Sequence, residues 1–261
     1  MAYDYQTLQI KNELGVLTAT INNPPVNVMT HSLYMDLVGF TSEVEQDESV
    51  KVVVFQSADP DFFIAHFDVE AILEFEADAP AEKSMEFSDF HLMCERVRTM
   101  PKATIVKMAG RAGGGGNEFA SSCDMRFGLK GKTIINQMEV ALGILPGGTG
   151  TQRLPRLVGR GRAMEICLCS DDIDAETAAQ WGYLNRVFDS AYGLDDFVDS
   201  LAKRIACWPA EAIAMCKASI NNAEMPLREG LLEEAFLFQQ TLRTNGAQQN
   251  MRKAMAMGLQ T

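Results

Sequence analysis

Four consecutive glycines, Gly113 to Gly116, interrupt the stretch AGRAGGGGNEFASSCD (109–124), and Asn117 and Glu118 follow at once. Each glycine surrenders more backbone freedom on folding than any other residue, so a run of four needs a reason. The β-branched run ATIVKMAG (103–110) reads as a buried strand ending at these glycines, and a helix is expected to begin near Gly116. The first N–H groups of a helix have no partner within it and lie at the positive end of its dipole. Without Cβ atoms in the way, a ligand oxygen can reach that backbone, which suits one half of an oxyanion hole. The same glycines would also let a strand and a helix pack closely, and the loop alone leaves both readings open. Nucleotide loops fit poorly. No lysine follows Gly116, so GxxxxGK[ST] is absent, and Glu118 stands where GxGxxG needs its third glycine. The second glycine-rich stretch, LPGGTGTQR (145–153), lacks both patterns.

Around this loop, strand-like and helix-like segments alternate. TLQIKNE (7–13) and VLTATIN (16–22) form a hairpin pattern about Leu14-Gly15. Residues 30–46 carry Leu33, Leu37, Phe40 and Val44 on one helical face, and VKVVVFQS (50–57) reads as a buried strand. ADAPAEKSM (77–85) starts as a loop, and a helix follows to about Thr99 with Phe87, Phe90, Cys94 and Val97 on one stripe. DMRFGLK and KTIINQM supply two more strands, which makes the class α/β. After about residue 160 no clear strand is expected; ETAAQWGYLNRV ends a helix at Gly182. Helices then run to the end, broken near Trp208-Pro209, Asn221 to Pro226 and Thr244 to Gly246. The division expected is a core over 1–195 and a helical region over 196–261.

A net charge of −12 argues against nucleic-acid binding, which needs a basic face. Arg153, Arg156, Arg160 and Arg162 cluster locally, and read as a solvated helix end. No apolar run is long enough for a transmembrane helix, and MAYDYQTLQIKNELG has no signal-like core, so no membrane partner and a cytoplasmic location are expected. The six cysteines show no CxxC spacing and read as buried thiols. His31, His66 and His91 form no ligand motif, so no metal is expected.

Three segments together resemble the enoyl-CoA hydratase/isomerase, or crotonase, family: INNPPVNVMT (21–30) with Asn27, VVVFQSADPDFFIAHFDVEAI (52–72), and AGRAGGGGNEFASSCD through QMEVALGILPGGTGTQRLPRLVGRGRAMEI. DIDAETAAQWGYLNRV continues the likeness, which covers about residues 5–220. The resemblance implies a spiral of ββα units with a C-terminal helical trimerisation region, assembled as a homotrimer or a dimer of trimers. It implies an acyl-CoA substrate of fatty-acid metabolism, with coenzyme A belonging to the substrate and no separate cofactor. Matching motif to motif puts the oxyanion hole at the backbone N–H groups of Phe67 and Gly115. Ala65, His66, Asp68, Gly114 and Gly147 would contact the substrate. Glu118 and Glu139 match the family's catalytic glutamates: Glu118 would activate the water that attacks Cβ, and Glu139 would protonate Cα. Burial is expected to raise one of the two pKa values so that the pair shares a proton.

The sequence departs from the family in two places. AHFD (65–68) has His66 where glycine is common and Phe67 where a small residue is common. If position 66 needs positive φ, histidine is strained there; otherwise His66 packs against its neighbours, or adds a group for thioester hydrolysis or altered acyl specificity. Phe67 would reshape the acyl pocket. TNGAQQNMRKAMAMG lacks the family's usual ending, leaving Arg252 and Lys253 as solvated charges or as contacts to a CoA phosphate. Phe236 and Phe238 read as core or subunit contact. The expected activity is hydration of a 2-enoyl-CoA. The alternatives are an enoyl-CoA isomerase, a thioester hydrolase, a non-catalytic RNA-binding protein, and a serine hydrolase using Ser121 or Ser122.

Overall fold

The computed structural model describes residues 3–258. β1 (Leu8–Glu13) and β2 (Val16–Ile21) pair antiparallel about Leu14 and Gly15, both at positive φ, as a two-residue hairpin turn requires. β3 (Val52–Ser57), β5 (Ala103–Met108), β7 (Met125–Leu129) and β10 (Arg186–Phe188) add in parallel, giving a six-stranded sheet in the order β1-β2-β3-β5-β7-β10. A second sheet takes β4 (Phe62–Ile64), β6 (Arg111–Gly113), β8 (Ile134–Asn136) and β9 (Ile173–Asp174) in that order. The chain therefore lays β3 then β4, β5 then β6, β7 then β8, one strand into each sheet, and helical segments follow each pair. This is the ββα spiral. β9 and β10 correct the expectation of no strand after residue 160; at two and three residues they are too short to show alternation.

The helices behave as their periodicity dictates. Thr30 caps α1 (His31–Gln46) by accepting from the Leu33 N–H, and Leu33, Leu37, Phe40 and Val44 are fully buried. Asp68 caps the short α2 (Val69–Leu73). Ser88 caps α3 (Asp89–Thr99), so Phe87 lies before the helix and is 65% exposed, not on its buried stripe. α4 (Gly115–Ser122) is buried throughout and lies in the centre of the molecule. α5 (Gly150–Val158), α6 (Arg160–Cys169) and α7 (Ala175–Gln180) follow, and Gly182 leaves α7 at φ 87°. Arg153 is not solvated as expected: its guanidinium meets Glu95 on α3 and is mostly buried. Only Cys94 and Cys123 are buried; Cys167 is half-buried, and Cys169, Cys207 and Cys216 are exposed.

α8 (Ala191–Ala206) lays Leu194, Val198, Ala202 and Ala206 on Val52, Val54, Ala103, Ile105 and Phe127 of the large sheet. A boundary at 195/196 therefore falls inside α8. α9 (Ala210–Asn221) is still tied to the body, because the buried Lys217 ammonium donates to the Val97 and Lys102 carbonyls and pairs with Asp124. α10 (Leu227–Leu242) and α11 (Asn245–Ala256) bury no residue, and Phe236 and Phe238 are more than half exposed. Among the described residues no helix is long and apolar enough to cross a membrane.

The core centres on Phe55 of β3, fully buried between Phe40 of α1 (5.9 Å between centroids) and Phe119 of α4 (5.0 Å), both edge-to-face. Phe55→Ala should lower unfolding free energy by about 3–5 kcal/mol, measured by urea denaturation, since a rigid spiral cannot collapse to fill the void.

Candidate active site

The four glycines divide the two roles left open by the sequence. β6 runs beside β4, Ala112 opposite Ile64, and α4 starts against the same segment. A Cβ at Gly113 would run into the Ala65 carbonyl, and one at Gly116 would lie 2.5 Å from the Ile64 carbonyl oxygen and 2.6 Å from Ile64 Cβ. These two glycines allow strand and helix to pack. Gly114 adopts φ 47°, and a Cβ there would lie 2.9 Å from Glu139 Oε1; one at Gly115 would lie 3.1 Å from Phe67 Cβ. These two leave room beside a carboxylate and beside the second turn. At the far end of α4, buried Arg126 donates to the Cys123 carbonyl at 2.6 Å and to the Tyr183 carbonyl at 2.8 Å, holding the negative end of the helix dipole.

Buried Asn27 shapes the second turn. Its Nδ2 donates to Ser57 Oγ and to the Phe62 and Phe63 carbonyls, while its Oδ1 accepts from the Asn23 N–H. A single parallel bridge joins Met29 to Phe67: the Met29 N–H donates to the His66 carbonyl and the Asp68 N–H to the Met29 carbonyl. That pattern turns Phe67's own N–H to the opposite side. Neither it nor the Gly115 N–H has a hydrogen-bond partner among the described residues. The two turns, 48 residues apart in sequence, are in contact.

Glu118 stands one helical turn after Gly115 and is 4% exposed. Its Oε1 accepts from three consecutive backbone N–H groups at the start of α5: Gly148 (2.9 Å), Thr149 (3.0 Å) and Gly150 (2.8 Å). Its Oε2 accepts none from the described residues. Burial raises its pKa, and the three N–H groups oppose that by holding the ionised form. Among the described residues Glu139, 8% exposed, has only the Gln137 amide as a side-chain donor, at 3.2 and 3.3 Å. Burial first, then the neighbouring Glu118 charge, pushes it up to about 7. The pair therefore differs by environment: one carboxyl has three fixed donors that favour its ionised form, and the other has a single amide.

The remaining candidates are spread around this centre. Ala65 is buried and donates its N–H to the Asn27 carbonyl. His66 is not at positive φ, so it carries no backbone strain, and its Nδ1 lies 2.8 Å from the Phe67 carbonyl oxygen. Asp68 accepts from the Glu70 N–H as a helix cap. Gly147 is exposed, with Leu145 beside its Cβ position; the turn reaches Glu118 through Gly148, Thr149 and Gly150 instead. The Ser121 and Ser122 hydroxyls both donate to the Glu118 carbonyl at 2.9 Å, and His91 bonds Ser88. Among the described residues no serine–histidine pair forms at the glycine loop.

Sequence reasoning missed three features. The PGGTG segment, read as part of the family motif with Gly147 as a substrate contact, gave no expectation that its N–H groups hold Glu118, although a glycine-rich turn before a helix is the same anion-binding signal as the first loop. Gln137, two residues before Glu139, gave no signal on its own. The aromatic wall of Phe67, Phe90 and Tyr34, with centroids 6.0 Å apart, was half seen; Phe90 reaches 2.6 Å from the Cβ position of Gly148, beside Glu118.

The raised Glu139 pKa has a consequence for stability. Its folded value of about 7 lies above the ordinary 4.5, so the folded state holds the proton more tightly, and stability falls as pH rises from 4.5 towards 7. Glu139→Gln removes that loss. It should raise Tm by about 3 °C or more at pH 8 and by no more than ~1 °C at pH 5, read by calorimetry.

Comparison with known proteins bears on the family and the fold. The family profile described as enoyl-CoA hydratase/isomerase matches residues 11–259. The chain is 31% identical over 227 residues to the crotonyl-CoA hydratase of Syntrophomonas wolfei, covering 85% of this chain and 83% of that one. It is 30% identical over 218 residues to the short-chain-enoyl-CoA hydratase of Clostridium acetobutylicum (82% and 80% covered). Among solved structures, a provisionally named enoyl-CoA hydratase from Streptomyces avermitilis is 40% identical with a TM-score of 0.75, covering 99% of this chain and 94% of that one. The enoyl-CoA hydratase from Geobacillus kaustophilus superposes with a TM-score of 0.87 at 26% identity (97% and 95% covered). With the ββα spiral and the glycine loop in place, these matches show that the chain belongs to the enoyl-CoA hydratase/isomerase family.

Proposed function

We propose that this chain catalyses the reversible hydration of a 2-enoyl-CoA to a 3-hydroxyacyl-CoA. One observation carries the reading. Two buried carboxyls with unequal numbers of hydrogen-bond donors lie beside two backbone N–H groups that have no partner among the described residues, and these four groups come from three separate stretches of chain.

In this reading the thioester oxygen lies between the N–H groups of Phe67 and Gly115. As charge builds on that oxygen, each donor contributes roughly 2.7–4 kcal/mol to the transition state. Ionised Glu118, anchored through Oε1, uses its free Oε2 to take a proton from water as the water oxygen bonds to Cβ. Neutral Glu139 delivers its proton to Cα as the enolate collapses to the ketone-level thioester. Dehydration runs the same steps backwards. The aromatic wall of Phe67, Phe90 and Tyr34 stands on the Glu118 side and would enclose the acyl chain. Coenzyme A enters as part of the substrate. The serine hydroxyls, committed to the Glu118 carbonyl, do not favour a serine hydrolase.

Crotonyl-CoA hydration, followed by loss of enoyl absorbance, tests this directly. Glu118→Gln and Glu139→Gln should each slow it by about 100-fold or more. Isomerisation of a 3-enoyl-CoA, or thiol release from an acyl-CoA, proceeding faster than hydration in the wild type would overturn the assignment in favour of those activities.

We further propose a homotrimer or dimer of trimers built through α10 and α11. Leu227, Leu231, Leu232, Phe236 and Phe238 of α10 are exposed in the single chain, and large apolar side chains left uncovered along a helix mark an interaction surface. Light scattering should give one of those two masses, and Phe236→Asp with Phe238→Asp should shift the chain to a smaller species. A wild-type monomer would contradict the assembly.

A further inference from the structure

Three side-chain hydrogen bonds run in series behind Glu139. Tyr183 Oη donates to Asn117 Oδ1; Asn117 Nδ2 donates to Gln137 Oε1 at 2.6 Å; Gln137 Nε2 donates to Glu139 at 3.2 and 3.3 Å. Tyr183 and Gln137 are fully buried, and Asn117 is 1% exposed. The members belong to α4, to the segment between β8 and Glu139, and to the turn after α7. Nothing in the local sequence brings them together.

The order of donors matters because each amide can turn over and exchange its oxygen for its NH2 group. If Asn117 and Gln137 both flipped, Gln137 would show its oxygen to Glu139, and the Tyr183 hydroxyl would have to accept from Asn117. Its own proton would then be buried without an acceptor, because no other hydrogen bond of this hydroxyl exists among the described residues. Leaving a buried donor unpaired is costly, so the hydroxyl biases the whole chain one way. Arg126 holds the ring in place, its guanidinium carbon 5.2 Å from the ring centroid and its Nε on the Tyr183 carbonyl.

We propose that Tyr183 and Asn117 are positioning residues that lock the Gln137 amide with its NH2 edge towards Glu139. The donor then holds the carboxylate that remains after Glu139 has delivered its proton. This rests on the reading of Glu139 as the acid. The titratable groups facing Glu139 are Glu118 from α4 and Cys167 from α6, and His66 stands across Gly114 from it. None of the three is altered by substitutions at the tyrosine end, so a change there reports the relay.

The test is the titration of Glu139, followed by 13C NMR of its carboxyl carbon and assigned through Glu139→Gln. Tyr183→Phe keeps the ring under Arg126 and removes only the terminal donor. Asn117→Leu keeps the approximate shape, adds no charge and removes the NH2 group, so nothing then holds Gln137 with its own NH2 towards Glu139. Each should move the Glu139 midpoint up by about half a pH unit or more. Each should also lower kcat for crotonyl-CoA about three- to tenfold at pH 7, with KM within ~twofold, as expected when proton delivery and not binding is affected. In the unaltered chain, the Gln137 side-chain NH2 resonances should follow the Glu139 titration, which tests the relay even if both variants fail to fold. A folded variant with the Glu139 midpoint unmoved, or Gln137 resonances insensitive to it, would overturn the proposal. A wild-type chain that hydrates no enoyl-CoA would defeat the proposed activity instead, and leave the titration result to stand for itself.

Discussion

The structure depends on how closely β6 and the start of α4 approach the segment from Ile64 to Phe67. Side chains at positions 113 and 116 would collide with the backbone of that segment, so the approach exists only because those positions carry none. From it follow the contact between the two turns, the burial of α4 along its length, and the placement of Glu118 one turn beyond the loop. The entropy that four glycines surrender is offset by a helix that enters the protein's centre with its positive end open. Arg126 complements the same helix at its other end.

The two glutamates show how environment assigns chemistry to identical side chains. Both are buried, and burial alone raises both. What separates them is the number of fixed donors. Three backbone N–H groups at the start of α5 converge on one oxygen of Glu118, whereas Glu139 has one amide, itself held by a longer chain of hydrogen bonds. A fixed dipole costs nothing to reorient during reaction, so it stabilises charge more effectively than water would in the same place. The helix N-terminus of α5 holds a Glu118 oxygen, and that of α4 is the one the proposed function gives to the thioester oxygen.

His66 and Phe67 make this turn unlike the usual family sequence without distorting it. Position 66 is not at positive φ, so histidine is accommodated, and its ring bonds the next carbonyl. Phe67 can present a free backbone N–H while its ring joins Phe90 and Tyr34, because backbone donor and side chain leave the residue in different directions. In this chain Phe67 therefore helps build the apolar wall beside Glu118.

The amino-acid sequence by itself determined the local elements whose cause is local. The hairpin at Leu14-Gly15 follows from two residues that reach positive φ, and the buried stripe of α1 from apolar spacing. The unusual glycine loop marked the site, and family motifs pointed to Glu118 and Glu139. Strands β9 and β10 were illegible because two or three residues carry no periodicity, and the exposure of Cys169, Cys207 and Cys216 because burial is a property of neighbours. Only the tertiary structure decided that Gly148 to Gly150 hold Glu118, and that Gln137, Asn117 and Tyr183 stand in line behind Glu139. Those contacts join residues 20 to 66 positions apart, and a hydrogen bond depends on tenths of an ångström in space, which no one-dimensional pattern of residue types encodes.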